Sequence, residues 1–409
     1  MYPLQNSQDL QPLIDDIGKR PIVMLGEATH GTHEYYTWRT AISKRLIKDK
    51  QFRFIAVEGD WPDCYLINRY VKGYENDIQA VLRQFDRWPA WMWANWEIVA
   101  LAEWLREYNA SLPDAEKVGF YGLDVYSLWE SMKIMMDYLK EEDPQAAQYV
   151  KQAITCFEPF NEDEQKYARQ SLGRHCRDEV LALLRQIRFR VQHLDSDLEA
   201  GFNTEQNALI AVNAERYYRS MISFDNQSWN IRDLHMMETL NRLLGFYGKK
   251  GIVWAHNTHV GDARATNMHK EGMINIGQLA RDQYGAENVY LAGFAGYKGK
   301  VIAGDEWGAP MQEMIVPPAM EGSIEEILHS EFGRNGLLLF EDNKYRDKIG
   351  HRAIGVVYNP ERERRGNYVP SFMAHRYDAL LYFDDTTAVH PLRQEPHNEK
   401  VPETYPFGI

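Results

Sequence analysis

Cysteine is scarce. Cys64, Cys156 and Cys176 are the only three in 409 residues, and no two form a C-x-x-C pair. Neither a disulfide framework nor a zinc knuckle is expected from them. Positive charge is short as well: 46 Lys and Arg face 59 Asp and Glu, a formal net charge of −13. That balance argues against nucleic acid or an anionic membrane as main partner. No apolar run approaches the length of a bilayer span, and the opening MYPLQNSQDLQPL has no basic stretch followed by an apolar one. The expectation is a cytoplasmic protein, monomer or homodimer, with a small-molecule partner. Two catalytic signatures are also missing. There is no G-x-S-x-G nucleophile elbow, and His33-Glu34 does not complete H-E-x-x-H because Thr37 stands where the second His would. Activating a water is then simpler than a nucleophilic triad.

The stretch that organises the rest is Ile22 to Arg39, IVMLGEATHGTHEYYTWR. Ile22 to Leu25 is a short apolar run of the kind that makes a buried strand. Gly26 breaks it, and Glu27 and His30 follow before an amphipathic segment, Thr32 to Ile47, that reads as a helix. A carboxylate and an imidazole therefore sit on a strand-to-helix turn, where open parallel sheets bind their ligands. Imidazole titrates nearest neutrality. A neighbouring carboxylate can fix its tautomer and stabilise its cation.

Further strands are expected at 52–57, 118–122 and 251–255, at 289–294 and 300–303 as a pair turning at Gly296–Gly299, and at 353–358 and 377–383. Helical patterns lie between them, so the fold class is α/β with a mostly parallel central sheet and flanking helices. From about Ser127 to Gly248 strand signals disappear, and Gly201 looks like a break in a long helix. The division expected is an α/β core from 1–140 and 246–409 with a helical insertion, 141–245, acting as a cap. A polar tail ends the chain.

Polar groups stand at the ends of four expected strands: Glu27 and His30, Glu58 and Asp60, Asp124, and His256 and His259. In a parallel sheet such ends share one edge. Asp60 and Asp124 have a simpler role open to them, capping the next helix. LGEATHG and WAHNTHVG echo each other in placing His after an apolar strand. Trp88, Trp91, Trp93 and Trp96 crowd nine residues, and Trp91 and Trp93 read equally as core and as a wall of the site or a partner surface. Arg232 and Asp233 read equally as cleft residues and as a helix anchor. H-x-x-H at His256 and His259, with His30 and a Glu, also makes a nitrogen–oxygen metal set, so a divalent metal stays open.

The chain resembles the erythromycin esterase family. The resemblance rests on GEATHG (26–31) with Glu34 and Arg39 after it, VEGDWPD (57–63), YGLDVYS (121–127), WNIRDLHM (229–236), VWAHNTHVGDAR (253–264), IGVVYNPERERRGNYVP (354–370) and YDALLYFDDTTAVHPL (377–392). It implies an α/β core with a helical cap and a cleft between them. It also implies hydrolysis of a macrolide lactone by a His-activated water, with no obligatory metal or other cofactor, and hence a role in antibiotic resistance. Carried over, His30 is the general base, Glu27 its neighbour, and Glu58 and His256 further active-site groups. His256, His259 or Arg39 is left to stabilise the oxyanion. The rival expectations are a metal-dependent hydrolase and a non-catalytic binder of a macrocycle or glycan.

Overall fold

The computed structural model describes residues 1–392 apart from 172, 174, 192–197, 222–225, 249, 341–344 and 346. The expected polar tail lies outside the described residues beyond Leu392. The strands are β1 (Tyr2–Pro3), β2 (Ile22–Leu25), β3 (Phe54–Asp60), β4 (Gly119–Asp124), β5 (Gly251–Trp254), β6 (Val289–Ala303), β7 (Gln312–Val316), β8 (Gly336–Leu339), β9 (Lys348–Arg352), β10 (Tyr368–Phe372) and β11 (Ala379–Thr386). The main sheet runs β1-β8-β11-β6-β2-β5-β3-β4, with β7 added to β6, and β9 and β10 form a separate ribbon. From β11 to β4 every neighbouring pair is parallel, and β1, β7 and β8 pair antiparallel.

The parallel strands read as continuous apolar runs because both faces are covered. Val23 and Leu25, Ile55 and Val57, and Ile252 and Trp254 enter one apolar cluster. Their alternates Ile22 and Met24, Phe54 and Ala56, and Val253 and Ala255 enter another on the opposite face. A third cluster draws only on residues from Val125 to Ile231, so the helical stretch has an apolar core of its own. Helix Gln227–Tyr247 serves two cores: Ile231 packs in the third cluster, while Met236, Met237, Leu240 and Leu243 pack against the sheet.

Four expectations are corrected. Residues 289–303 form one continuous strand, not a pair. Gly296 and Gly299 are points of close packing within it, and a Cβ on Gly299 would run into the backbone of Thr386. Residues 353–358 make only isolated bridges, Ile354 to Thr29 and Val357 to Gly304. Gly201 does not break its helix, which runs Leu198–Ser220 with Gly201 buried inside it. Cys156 and Cys176 are disulfide-bonded. Helix packing brings the end of Pro144–Phe157 to the start of Arg177–Val191, a proximity that spacing along the chain does not reveal. None of the described helices is long and apolar enough to cross a membrane.

Candidate active site

The polar groups gather where the parallel strands end, as the topology requires. His30 follows β2 on a loop fixed by its backbone. Ile302 and Val389 both donate to the Gly31 carbonyl, and Tyr36 donates to the His30 carbonyl at 2.8 Å. The glycines of GEATHG allow this approach. A Cβ on Gly31 would overlap Ile302 backbone, and one on Gly26 would overlap the Asn257 side chain. Glu58 lies on β3 where its register with β4 shifts between Val57 and Asp60. Irregularities of this kind re-aim side chains beside active sites. His256 follows β5, the strand next to β2, so the sequence echo becomes a spatial pair: the His30 and His256 ring centroids are 5.0 Å apart.

His30 Nδ1 lies 2.9 Å from Glu27 Oε1. An ionised carboxylate only accepts, so Nδ1 carries the proton, and in the neutral ring the lone pair is on Nε2. Glu27 Oε2 is held by Arg39 at 2.5 Å, and Arg39 lies 4.7 Å from the centroids of both the Tyr36 and Trp254 rings. His256 has the opposite arrangement. Its Nδ1 accepts from the Thr258 backbone N–H at 3.3 Å and lies 2.8 Å from Thr258 Oγ1, whose hydroxyl can donate to the same lone pair, which leaves the proton on Nε2. Burial first, then the nearby His30, holds its pKa well below the usual imidazole range, so it stays neutral. Both Nε2 atoms are buried and make no hydrogen bond of normal geometry, although the Ala28 backbone lies near enough to the His256 ring to favour its charged form. One is an acceptor and the other a donor.

A second layer fixes these groups. Glu58 Oε1 accepts from Arg232 at 2.6 Å and Oε2 from the His256 backbone N–H at 2.7 Å. Burial opposes its charge, but His259, Arg232, His30 and that N–H outweigh it, and its pKa falls well below the carboxylate range. Glu58 Oε1 also lies 4.0 Å from His30 Nε2 and 3.5 Å from His259 Nε2. Arg232 forks onto Asp124, at 2.9 and 2.8 Å. Its third contact is His259 Nε2 at 3.1 Å, and His259 Nδ1 lies 3.0 Å from both oxygens of Asp233. His259 is stacked on Trp229 with 6° between the planes.

The structure thus brings together Glu27, His30, Arg39, Glu58, Asp124, Arg232, Asp233, His256 and His259, all fully or nearly fully buried. Asp60 stands apart, bound to Arg87 at 2.8 Å and with no cap bond to the helix it precedes. Burial pushes its pKa up to about 7 against the pull of Arg87. Trp91 and Trp93 are buried in the apolar core, not on an open wall. Trp93 still bears on the site, because its Nε1 donates to the Glu58 carbonyl at 3.0 Å. Two partners were missed in the sequence, Thr258 inside the site and Arg87 outside it. Thr258 sits inside the H-x-x-H spacing but carries no chemistry until its N–H is seen to set the His256 tautomer. Arg87 gave no signal, since its partner Asp60 is 27 residues away.

The family model for erythromycin esterase matches residues 47–386. The chain belongs to the erythromycin esterase family. An erythromycin esterase type II from Escherichia coli is 22% identical over 383 residues, covering 83% of this chain and 85% of that protein. A solved Bacillus cereus protein superposes with a TM-score of 0.80 at 19% identity, covering 96% of each chain. An erythromycin esterase mutant solved in its open conformation gives 0.71 at 15% identity, over 96% of this chain and 97% of that one. At these identities the structural likeness concerns the fold. Membership of the family makes the chain a hydrolase of that type.

Proposed function

We propose that the protein hydrolyses a carboxylic ester, a macrolide-like lactone in the first instance, with a water activated by His30. The observation that carries this reading is the complementary pair of unpartnered Nε2 atoms, a lone pair on His30 and a donor on His256. Water attacks the acyl carbon while His30 Nε2 takes its proton. Glu27 stabilises the resulting imidazolium through Nδ1–H, as a triad carboxylate does. The carbonyl oxygen gains the negative charge and accepts from His256 Nε2–H, a preorganised donor on a buried side chain. Collapse of the intermediate expels the alkoxide. It takes the proton back from His30, giving an acid and an alcohol.

The metal-ligand alternative is less well supported by the donor set. Glu58 and His259, two of its ligands, are already joined by the Arg232 guanidinium. We assign the helical stretch as the cap that closes over the strand ends and sets which ester is accepted. The relationship to an erythromycin esterase makes macrolides the first substrates to try, with detoxification of such an antibiotic as the biological role.

The test is incubation with a macrolide panel and mass spectrometry for the gain of one water. His30→Asn should lose about 10²–10⁴-fold in kcat with little change in KM, the worth of a general base acting in the transition state. Activity should survive thorough chelation. A His30→Asn enzyme with wild-type kcat, or one restored by added zinc, would remove His30 from the role of base.

A further inference from the structure

His33, Glu97 and His390 come from three distant parts of the chain. They are the first residue of helix His33–Lys50, the first turn of helix Trp96–Asn109, and the segment after β11. Both Nδ1 atoms lie 2.6 Å from one oxygen, Glu97 Oε1. The two rings meet nearly edge to face, 5.1 Å apart at 84°. The Glu97 side chain is 4% exposed, that of His33 33% and that of His390 62%. Among the described residues, this is the one group of three or more His, Cys, Asp or Glu whose ligand atoms all lie within 4.8 Å of each other. None of the three takes part in the His30–His256 site.

We propose that these three side chains bind one divalent transition-metal ion of the zinc class, as a clamp distinct from the catalytic centre. Two imidazoles and a carboxylate are a borderline nitrogen–oxygen set that suits zinc and its neighbours better than magnesium or calcium. Without an ion, two Nδ1–H groups share one carboxylate oxygen. An ion replaces both protons at that point, and each imidazole moves its proton to Nε2. Tetrahedral bonds of about 2.0–2.1 Å place ligand atoms about 3.3 Å apart. The present 2.6 Å contacts therefore need to open by about 0.7 Å. The exposed side, where His390 stands, leaves the fourth position to water.

Glu97 is suited to the task by its placement, with Oε1 facing both imidazoles. Its second oxygen is oriented by the His390 backbone N–H at 3.3 Å.

The location gives the ion a structural task. The segment carrying His390 is laid against the loop that carries His30. Thr387 accepts from the His33 N–H, Val389 donates to the Gly31 carbonyl and His390 accepts from the Trp96 N–H, each at 2.9 Å. Thr32 bridges Ala388, and Asn95 bridges Pro391. A bound ion fastens this segment to the starts of two helices at once, three residues from His30. It acts on stability, not on the chemical step.

The experiment is equilibrium dialysis of chelator-stripped, full-length protein against micromolar zinc, with metal content and melting temperature read together. The wild type should take up one zinc per chain and melt higher with it. His390→Ala, at the most exposed position, should fold normally, bind zinc roughly ten-fold or more weakly, and lose the shift; even outer-sphere partners of a metal are worth that much. His33→Ala should behave alike and serves as the second variant if the first is poorly folded. His256→Asn should keep full zinc binding, which separates this ion from any at the strand ends. The proposal fails if the wild type takes up no stoichiometric zinc at micromolar concentration. It also fails if both the His390 and His33 variants bind as the wild type does, or if binding is lost in His256→Asn instead.

Discussion

Identical imidazoles take opposite roles at this site according to which ring nitrogen is tied down. Glu27 ties His30 through its proton, and the Thr258 N–H ties His256 through its lone pair. Glu27 in turn belongs to a buried ion pair with Arg39, and breaking such a pair by removing one charge typically costs about 3–5 kcal/mol. Glu27→Gln should therefore lower stability by roughly that amount as well as slowing turnover, since the imidazolium loses its carboxylate. Replacing both partners, as in Glu27→Gln with Arg39→Met, should recover much of the stability, because an apolar substitute of similar volume is often neutral. It should not recover the rate. Denaturation midpoints and kcat for the single and double variants test this, and a double variant that regains both would mean Glu27 acts only through folding. At this scale the residues were legible where the chain groups them, as in GEATHG and HNTH. Arg87 and the tautomer of His256 were not, because each depends on a partner brought in by the fold.

Elements were legible in proportion to how local their signals are. The runs Ile22–Leu25 and Gly251–Trp254 announce buried parallel strands, and both are there. The 15-residue β6 was divided in two because Gly296 and Gly299 look like turn residues in sequence. Their small size instead serves packing against Tyr35 and the Thr386 backbone. The Trp-rich stretch before helix Trp96–Asn109 was evenly ambiguous, since indole serves a core and a ligand wall equally well. Its burial assigns it to the core, and Trp93 pins the backbone of Glu58. Trp93→Ala should then cost about 3–5 kcal/mol, the usual loss for a buried Trp. Trp93→Phe should cost less, because it keeps most of the volume and loses mainly the indole bond to Glu58. Thermal or urea denaturation of the two variants checks the ranking. An alanine variant that melts like the wild type while binding substrate weakly would return Trp93 to the site wall.

Over the whole molecule, the sheet and the helical stretch are joined by helix Gln227–Tyr247, which carries Arg232 and Asp233 to the strand ends and packs in both cores. That sharing was not legible in the sequence, where a single change of composition marks the helical stretch and no residue declares that it serves two cores. The same helix holds a buried His235 against its neighbour: Asn213 Nδ2 donates to His235 Nδ1 at 2.9 Å. Burial pulls the His235 pKa down to about 4, against the opposite influence of Glu238 and Asp124. The folded protein therefore keeps His235 neutral while the unfolded chain binds a proton there below about pH 6.5. Wherever the unfolded state holds more protons, stability falls as pH falls. His235 should thus withdraw stability progressively from about pH 6.5 down to its folded value and no further. His256, also held neutral, acts in the same direction, whereas His259, whose pKa is raised because Asp233 and Glu58 outweigh burial, acts against it. The contribution of His235 is isolated by comparing the wild type with His235→Gln, which can still accept from Asn213 but cannot be protonated. The urea midpoint of the wild type should drop more between about pH 7 and about pH 5 than that of the variant. Parallel declines in the two proteins would mean that His235 titrates alike in both states, and that the joint between these helices is open to water.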